Sequence, residues 1–211
     1  MSVVLYGSPS TASLVVHWLL LELDVPFQLH LLDFDRREQK SPEYLALNPA
    51  GRVPTLVIDG QVLTEAAAIS LHLADLHPGS GLLPAPGTPA RAQAYRWMFF
   101  CANTLQPAYR AWFYPDEPAG AGLEEHVRRQ ARMQIESAWQ QVSDHLLAHG
   151  PQLLGEPLSV ADFMMTMMMR WSRNMPRPSD DWPVLKAFAQ RMKARPAFAE
   201  VYRREGITDW T

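Results

Sequence analysis

The stretch Asn48-Pro49-Ala50-Gly51-Arg52-Val53-Pro54-Thr55-Leu56 restricts the fold more than any other part of the chain. Val53 to Ile58 reads as a strand, Asp59-Gly60 as a hairpin turn and Gln61 to Leu63 as a short partner strand. The hairpin puts Pro54 at the opening of a strand inside a sheet, where a proline cannot donate to the ladder. That backbone edge must face something other than a neighbouring strand. The plainer arrangement is an edge-strand proline. The other is a cis Val53–Pro54 bond, which turns the N–H and C=O of Val53 outward to pair with an extended, peptide-like ligand.

The flanking sequence supplies the rest of an α/β unit. Val3 to Tyr6 is a short β-prone run ended by Gly7 and Pro9. Residues 12–23 are almost continuously apolar, the pattern of a helix buried on both faces. Phe27, Leu29 and Leu31 form a second strand, and Asp33 to Ala46 is a polar surface segment with at most a short helix. A helix begins at Thr64 or Glu65, with Ile69, Leu73 and Leu76 on one face. The order is β-α-β-α-β-β-α.

A proline- and glycine-rich linker, His77 to Pro89, follows and marks the domain boundary. Everything beyond it reads as helical: Arg91 to about Trp112, Leu123 to Ala148, Ser159 to about Trp171, Pro183 to Arg195 and a last short helix around Phe198–Tyr202. The expected fold is an α/β domain over 1–78 and an all-α domain over 88–211.

Composition narrows the function. Charged residues are 19% of the 211 and the net charge is −3, with no basic face of the kind that binds nucleic acid. The most apolar segment, Leu14 to Val25, is interrupted by His17, Glu22 and Asp24, and is shorter than a membrane span. With no basic leader and only Cys101 for a thiol, a soluble, cytoplasmic setting is expected. No Cys/His spacing suggests a metal.

Two helix starts in the first domain offer chemistry. In Ser8-Pro9-Ser10-Thr11-Ala12-Ser13-Leu14, the hydroxyls of Ser10, Thr11 and Ser13 and the nearby N–H groups suit a thiolate, whose pKa such groups lower. One hydroxyl suffices for N-capping, the competing explanation. Thr64-Glu65-Ala66 suits a zwitterionic amino-acid end, its carboxylate on unpaired N–H groups and its amine on Glu65. Capping by Thr64 also accounts for the pair.

With "NPAGRVPTL", "LTEAAAISLHLAD", "LLGEPLSVADF" and "WPVLKAFAQRMKARPAF" in order, the chain resembles the cytosolic glutathione S-transferases over essentially its whole length. The serine-rich first turn and "SLVVHWLLLELDVPF" look most like the bacterial, beta-like members. The resemblance implies a thioredoxin-like first domain that binds glutathione as co-substrate. It implies a cis Pro54, Val53 on the cysteinyl backbone, Arg52 beside the peptide, and Glu65 with Ala66 on the γ-glutamyl end. The thiolate would rest on Ser10, Thr11 or Ser13 and attack a small apolar electrophile. Tyr109, Trp112 and Phe113 would border that second substrate, with core packing as the competing role. Homodimers are usual in this family, and no metal is implied.

Two departures stand out. Ala12 occupies the position where beta-like members often have cysteine, which excludes a mixed disulfide there. Ala66 replaces a frequent serine, and a lost hydroxyl contact to a charged group is worth at most roughly 1.5–3 kcal/mol. A glutathione-dependent reductase or isomerase, or a non-catalytic binding or regulatory protein, are the rival functions. Ser159-Val160-Ala161-Asp162 reads as a capping box with Leu158 as its staple. The methionine run behind it reads as a buried helix, and Cys101 as a small core residue.

Overall fold

The computed structural model describes residues 2–120 and 122–211, which divide into two compact units. The first unit runs through Leu83 and takes in Lys193–Thr211; the second is Pro84–Met192.

In the first unit, β1 (Val3–Gly7), α1 (Ser13–Glu22), β2 (Gln28–Leu31), α2 (Pro42–Leu47), β3 (Thr55–Ile58), β4 (Gln61–Thr64) and α3 (Ala66–Leu76) follow the expected order. The four-stranded sheet has the order β2-β1-β3-β4, with β1 parallel to β2 and the other pairs antiparallel. Every residue of α1 from Ser13 to Leu20 is buried, which explains its apolar sequence on all faces. This is a thioredoxin-like unit. Strand β3 starts at Thr55, two residues later than the sequence suggested, because the chain reaches it through Pro54, which has no donor.

The second unit holds α4 (Pro89–Phe100), α5 (Gln106–Phe113), α6 (Asp116–Ala119), α7 (Glu124–His149), α8 (Val160–Trp171) and α9 (Pro183–Lys193), the last ending one residue into the first unit. The single helix expected over 91–112 is interrupted by a π-turn at Cys101–Leu105. Pro107 has no N–H for the carbonyl four residues back, and the widened turn lies just before it. Residues Val160 to Arg170 are all buried, so the methionines of α8 are core and line no open pocket. Cys101 is buried too, and burial pushes its thiol well above the ordinary range.

The last helix, α10 (Pro196–Glu205), belongs with the first unit rather than with the helical domain expected over 88–211. Its packing on α1 is the reason. Phe198 meets Trp18 edge-on at 5.0 Å, Arg195 pairs with Glu22, and Glu205 reaches His17.

Asp162 secures α8 through the expected capping box, accepting from the Ser159 N–H at 2.7 Å and from the Leu153 N–H at 2.9 Å. Burial raises its carboxyl to about 6, against the hydrogen bonds from Leu153 and Ser159 that lower it. Between about pH 4 and 6 the folded chain keeps a proton there that the unfolded chain has lost, so this group's contribution to stability falls as pH rises through that window. Asp162→Asn should flatten that part of the stability curve, whose slope from one group is at most about 1.4 kcal/mol per pH unit. Asp162→Ala should lower stability by about 2 kcal/mol at pH 7, because two buried N–H groups lose their acceptor. Urea unfolding across pH measures both.

Candidate functional site

The register of the sheet gathers the candidate residues. Tyr6 pairs with Thr55 and Thr55 with Thr64, so the turn after β1, the entry to β3 and the exit from β4 share one end of the sheet. From that end project residues 8–12, Val53 and Glu65.

The Val53–Pro54 bond is cis, and the N–H and C=O of Val53 form no hydrogen bond among the described residues. A buried network fixes the loop that carries them. Tyr44 donates its hydroxyl proton to the Arg52 carbonyl at 2.6 Å and meets the Thr55 hydroxyl at 2.8 Å. The Asn48 amide donates to the same carbonyl at 2.8 Å and to the Thr55 hydroxyl at 3.1 Å, while its own carbonyl accepts the Ala50 N–H. Burial raises the Tyr44 hydroxyl pKa above the ordinary value, and its bonds to Thr55 and Asn48 oppose that rise. Sequence reading missed these three residues. Tyr44 lies in the segment Asp33 to Ala46 that reads as polar surface, and Asn48 and Thr55 stand inside the proline motif without any local mark of their role.

At the third helix, Thr64 ends β4 and does not cap. Glu65 is the N-cap, at φ 70 and ψ 108, and its side chain makes no capping bond. A non-glycine residue held at positive φ is backbone strain of the sort found at binding sites. Glu65 is exposed and its carboxylate is open to a cationic group, while the Ala66 and Ala67 N–H groups at the start of an eleven-residue helix remain for an anion.

The first turn is organised around Ser8. Thr11 Oγ1 donates to the Ser8 carbonyl at 2.7 Å. Ser13 Oγ accepts the Ser8 N–H at 3.0 Å and lies 3.1 Å from the Ser8 carbonyl. Ser13 is 1% exposed, so its hydroxyl is a clip inside the turn and is withdrawn from any thiolate. A Cβ on Gly7 would sit 2.6 Å from that oxygen, which is why glycine ends β1. Ser10 and Thr11 are partly exposed; Ser10 has φ 65, and its N–H donates to Glu205 Oε2 at 3.1 Å. The N–H of Ala12, the residue before α1, is unpaired among the described residues.

Of the aromatic candidates in the second unit, Tyr109 is wholly buried, stacked on Phe113 at 6.0 Å and edge-on to Trp171 at 5.6 Å. It packs the interior and presents no surface to a substrate. Trp112 is half-buried and Phe113 is 47% exposed. Among the described residues no group of three or more His, Cys, Asp or Glu is placed to hold a metal, and no helix is long and apolar enough to cross a membrane.

Comparison with known proteins settles the lineage. Residues 1–75 match the glutathione S-transferase N-terminal domain and residues 102–204 the C-terminal domain. Glutathione S-transferase GST-4.5 of Xanthomonas campestris is 33% identical over 207 residues, covering 96% of this chain and 98% of that protein.

The chain belongs to the glutathione S-transferase family.

Among solved structures, a glutathione transferase homologue from Sulfitobacter with bound glutathione aligns with TM-score 0.89 at 30% identity, over 98% of this chain and 99% of that one. The beta-class transferase of Sphingomonas chungbukensis aligns with TM-score 0.85 at 27% identity, over 97% of this chain and all of that one, 100%. This transferase thus carries the bacterial, beta-like architecture with alanine at positions 12 and 66.

The turn geometry separates two roles that the sequence left together. Ser13→Ala should lower stability by about 1–2 kcal/mol in urea unfolding, because the buried Ser8 N–H loses its acceptor. Glutathione affinity should change less than about threefold, since that difference corresponds to well under 1 kcal/mol.

Proposed function

We propose that this transferase binds glutathione along the sheet end described above and delivers its thiolate to a small apolar electrophile. The observation that carries this reading is the free backbone of Val53, held open by the Tyr44–Asn48–Thr55 network beside a strained, uncapped Glu65. An extended tripeptide supplies the missing strand partner at Val53. Its γ-glutamyl carboxylate meets the Ala66 N–H, its amine meets Glu65, and Arg52 lies beside the peptide.

The sulfur then comes to the first turn. There the Ala12 N–H, with the Ser10 hydroxyl, favours the charged form of the thiol, while Thr11 gives its proton to the Ser8 carbonyl and steadies the turn. The thiol proton leaves to solvent. The sulfur forms a bond to the electrophilic carbon, and either a leaving group departs or an adjacent π bond takes the electron pair. The protein contributes position and a lowered thiol pKa. Trp112 and Phe113 are proposed to meet the electrophile. A reductase working through an enzyme thiol is disfavoured, because Cys101 is wholly buried and position 12 is alanine. A cytoplasmic homodimer belongs to the same proposal and rests on family membership.

Titration with glutathione, followed by calorimetry and by thiolate absorbance in the ultraviolet, tests the reading. Binding should occur with thiolate present near neutral pH. The Ser10→Ala variant should lose part of that absorbance, not more than about tenfold, because the Ala12 N–H remains. No binding at millimolar glutathione would end the proposal, and binding without turnover of an aryl halide would make the protein a carrier.

Ala66→Ser restores a hydroxyl at the γ-glutamyl end. It should tighten glutathione binding by about tenfold, equivalent to about 1.4 kcal/mol, in the same calorimetric titration.

A further inference from the structure

A carboxylate from the last helix is buried against the first turn, and neither the capping scheme nor the glutathione contacts use it. Glu205 of α10 and His17 of α1 form a pair at 2.9 Å between Oε1 and Nδ1, with side chains 1% and 0% exposed. The second oxygen, Oε2, accepts the N–H of Ser10 at 3.1 Å. Ser10 is a non-glycine residue held at φ 65, a conformation that needs outside support. His17 Nε2 is buried and has no partner among the described residues, while the edge of its ring meets Phe27 at 5.5 Å. Burying a carboxylate in this way is expensive unless both oxygens are engaged. Here each has its own partner, and one of those partners is the turn proposed to meet sulfur.

We infer that Glu205 is a positioning residue for the thiolate: it holds Ser10 in its left-handed conformation and so aims the Ala12 N–H, the open donor of the turn, at the glutathione sulfur, with His17 fixing the carboxylate from behind. The inference rests on the proposed function and deepens it. Only the sulfur end depends on Glu205. The peptide contacts at Val53, Glu65 and Ala66 come from other elements, so affinity and thiolate formation separate. The role is one of geometry. An amide oxygen at the same place serves it, and a shorter carboxylate does not.

Glu205→Gln and Glu205→Asp make the decisive pair. The glutamine keeps an acceptor for the Ser10 N–H and can donate its amide to Nδ1 of the Nε2–H form of His17. The aspartate keeps the charge but is one methylene short of the turn. Wild-type glutathione binding is measured first by calorimetry, and its absence would sink the proposed function itself. Given binding, Glu205→Gln should retain thiolate absorbance and kcat within about threefold. Glu205→Asp should lose about tenfold or more in both, with the glutathione Kd moved less than about threefold. Urea unfolding of each variant separates a loss of fold from a loss of aim. The inference is overturned if both variants retain thiolate, if both lose it, or if the aspartate retains it and the glutamine does not. Retention by the aspartate alone would assign the effect to charge. A fall in unfolding midpoint with an unchanged thiolate signal would leave Glu205 as a clip between α1 and α10 and nothing more.

Discussion

Buried or half-buried backbone groups left without partners are the constraint around which the first unit is arranged. A folded chain ordinarily pairs its amides, and leaving one open is costly unless a ligand or water completes it. Among the described residues, Val53, Ala12 and the start of α3 stay open at one end of the sheet. Each is held open by rigid neighbours. Tyr44, Asn48 and Thr55 brace the first, Ser8 and Ser13 brace the second, and the last residue of β4 delivers Glu65 to the third. The binding surface proposed for glutathione is therefore made of main chain, with side chains acting mainly as struts.

That division explains what could and could not be read from the sequence. Pro54 after Val53, the Asp59-Gly60 turn and the helical periodicity beyond Pro89 carry strong local signals, and the element order follows from them. The Ser159–Asp162 capping box is equally local. Ser10, Thr11 and Ser13 look alike in sequence. Only the closed turn shows that Ser13 faces inward and is spent on Ser8. For Tyr109 the sequence leaves both roles open for a similar reason: an aromatic near a helix end has no local mark that distinguishes an inward rotamer from an outward one. The structure buries it against Trp171.

The long-range contacts were the least legible. His17 lies in an apolar helix and Glu205 in a short polar one, 188 residues apart. No spacing rule links them, because they meet through the packing of Phe198 on Trp18 and of Arg195 with Glu22. A histidine inside an otherwise apolar, fully buried helix was the one available hint, since such a ring needs a partner. The two alanines are the opposite case. Ala12 and Ala66 are plain in the sequence, and the structure shows that both positions keep their backbone N–H groups. The chemistry lost at each is a side chain, and the N–H groups proposed to meet glutathione remain.

The docking of α10 onto the first unit also sets an order of events during synthesis. A chain emerging from the ribosome presents its N-terminal residues first, and domains generally fold as units in that order. Here the first unit cannot be finished early. The turn at Ser10 receives its acceptor from a residue made 195 positions later, after the whole helical unit has been extruded. Until then α1 has an uncovered face at Trp18, and closing that loop is among the longest-range steps the chain must take. The second unit, contiguous from Pro84 to Met192, has no such delay. The part of the molecule that is translated first is thus completed by the part that is translated last.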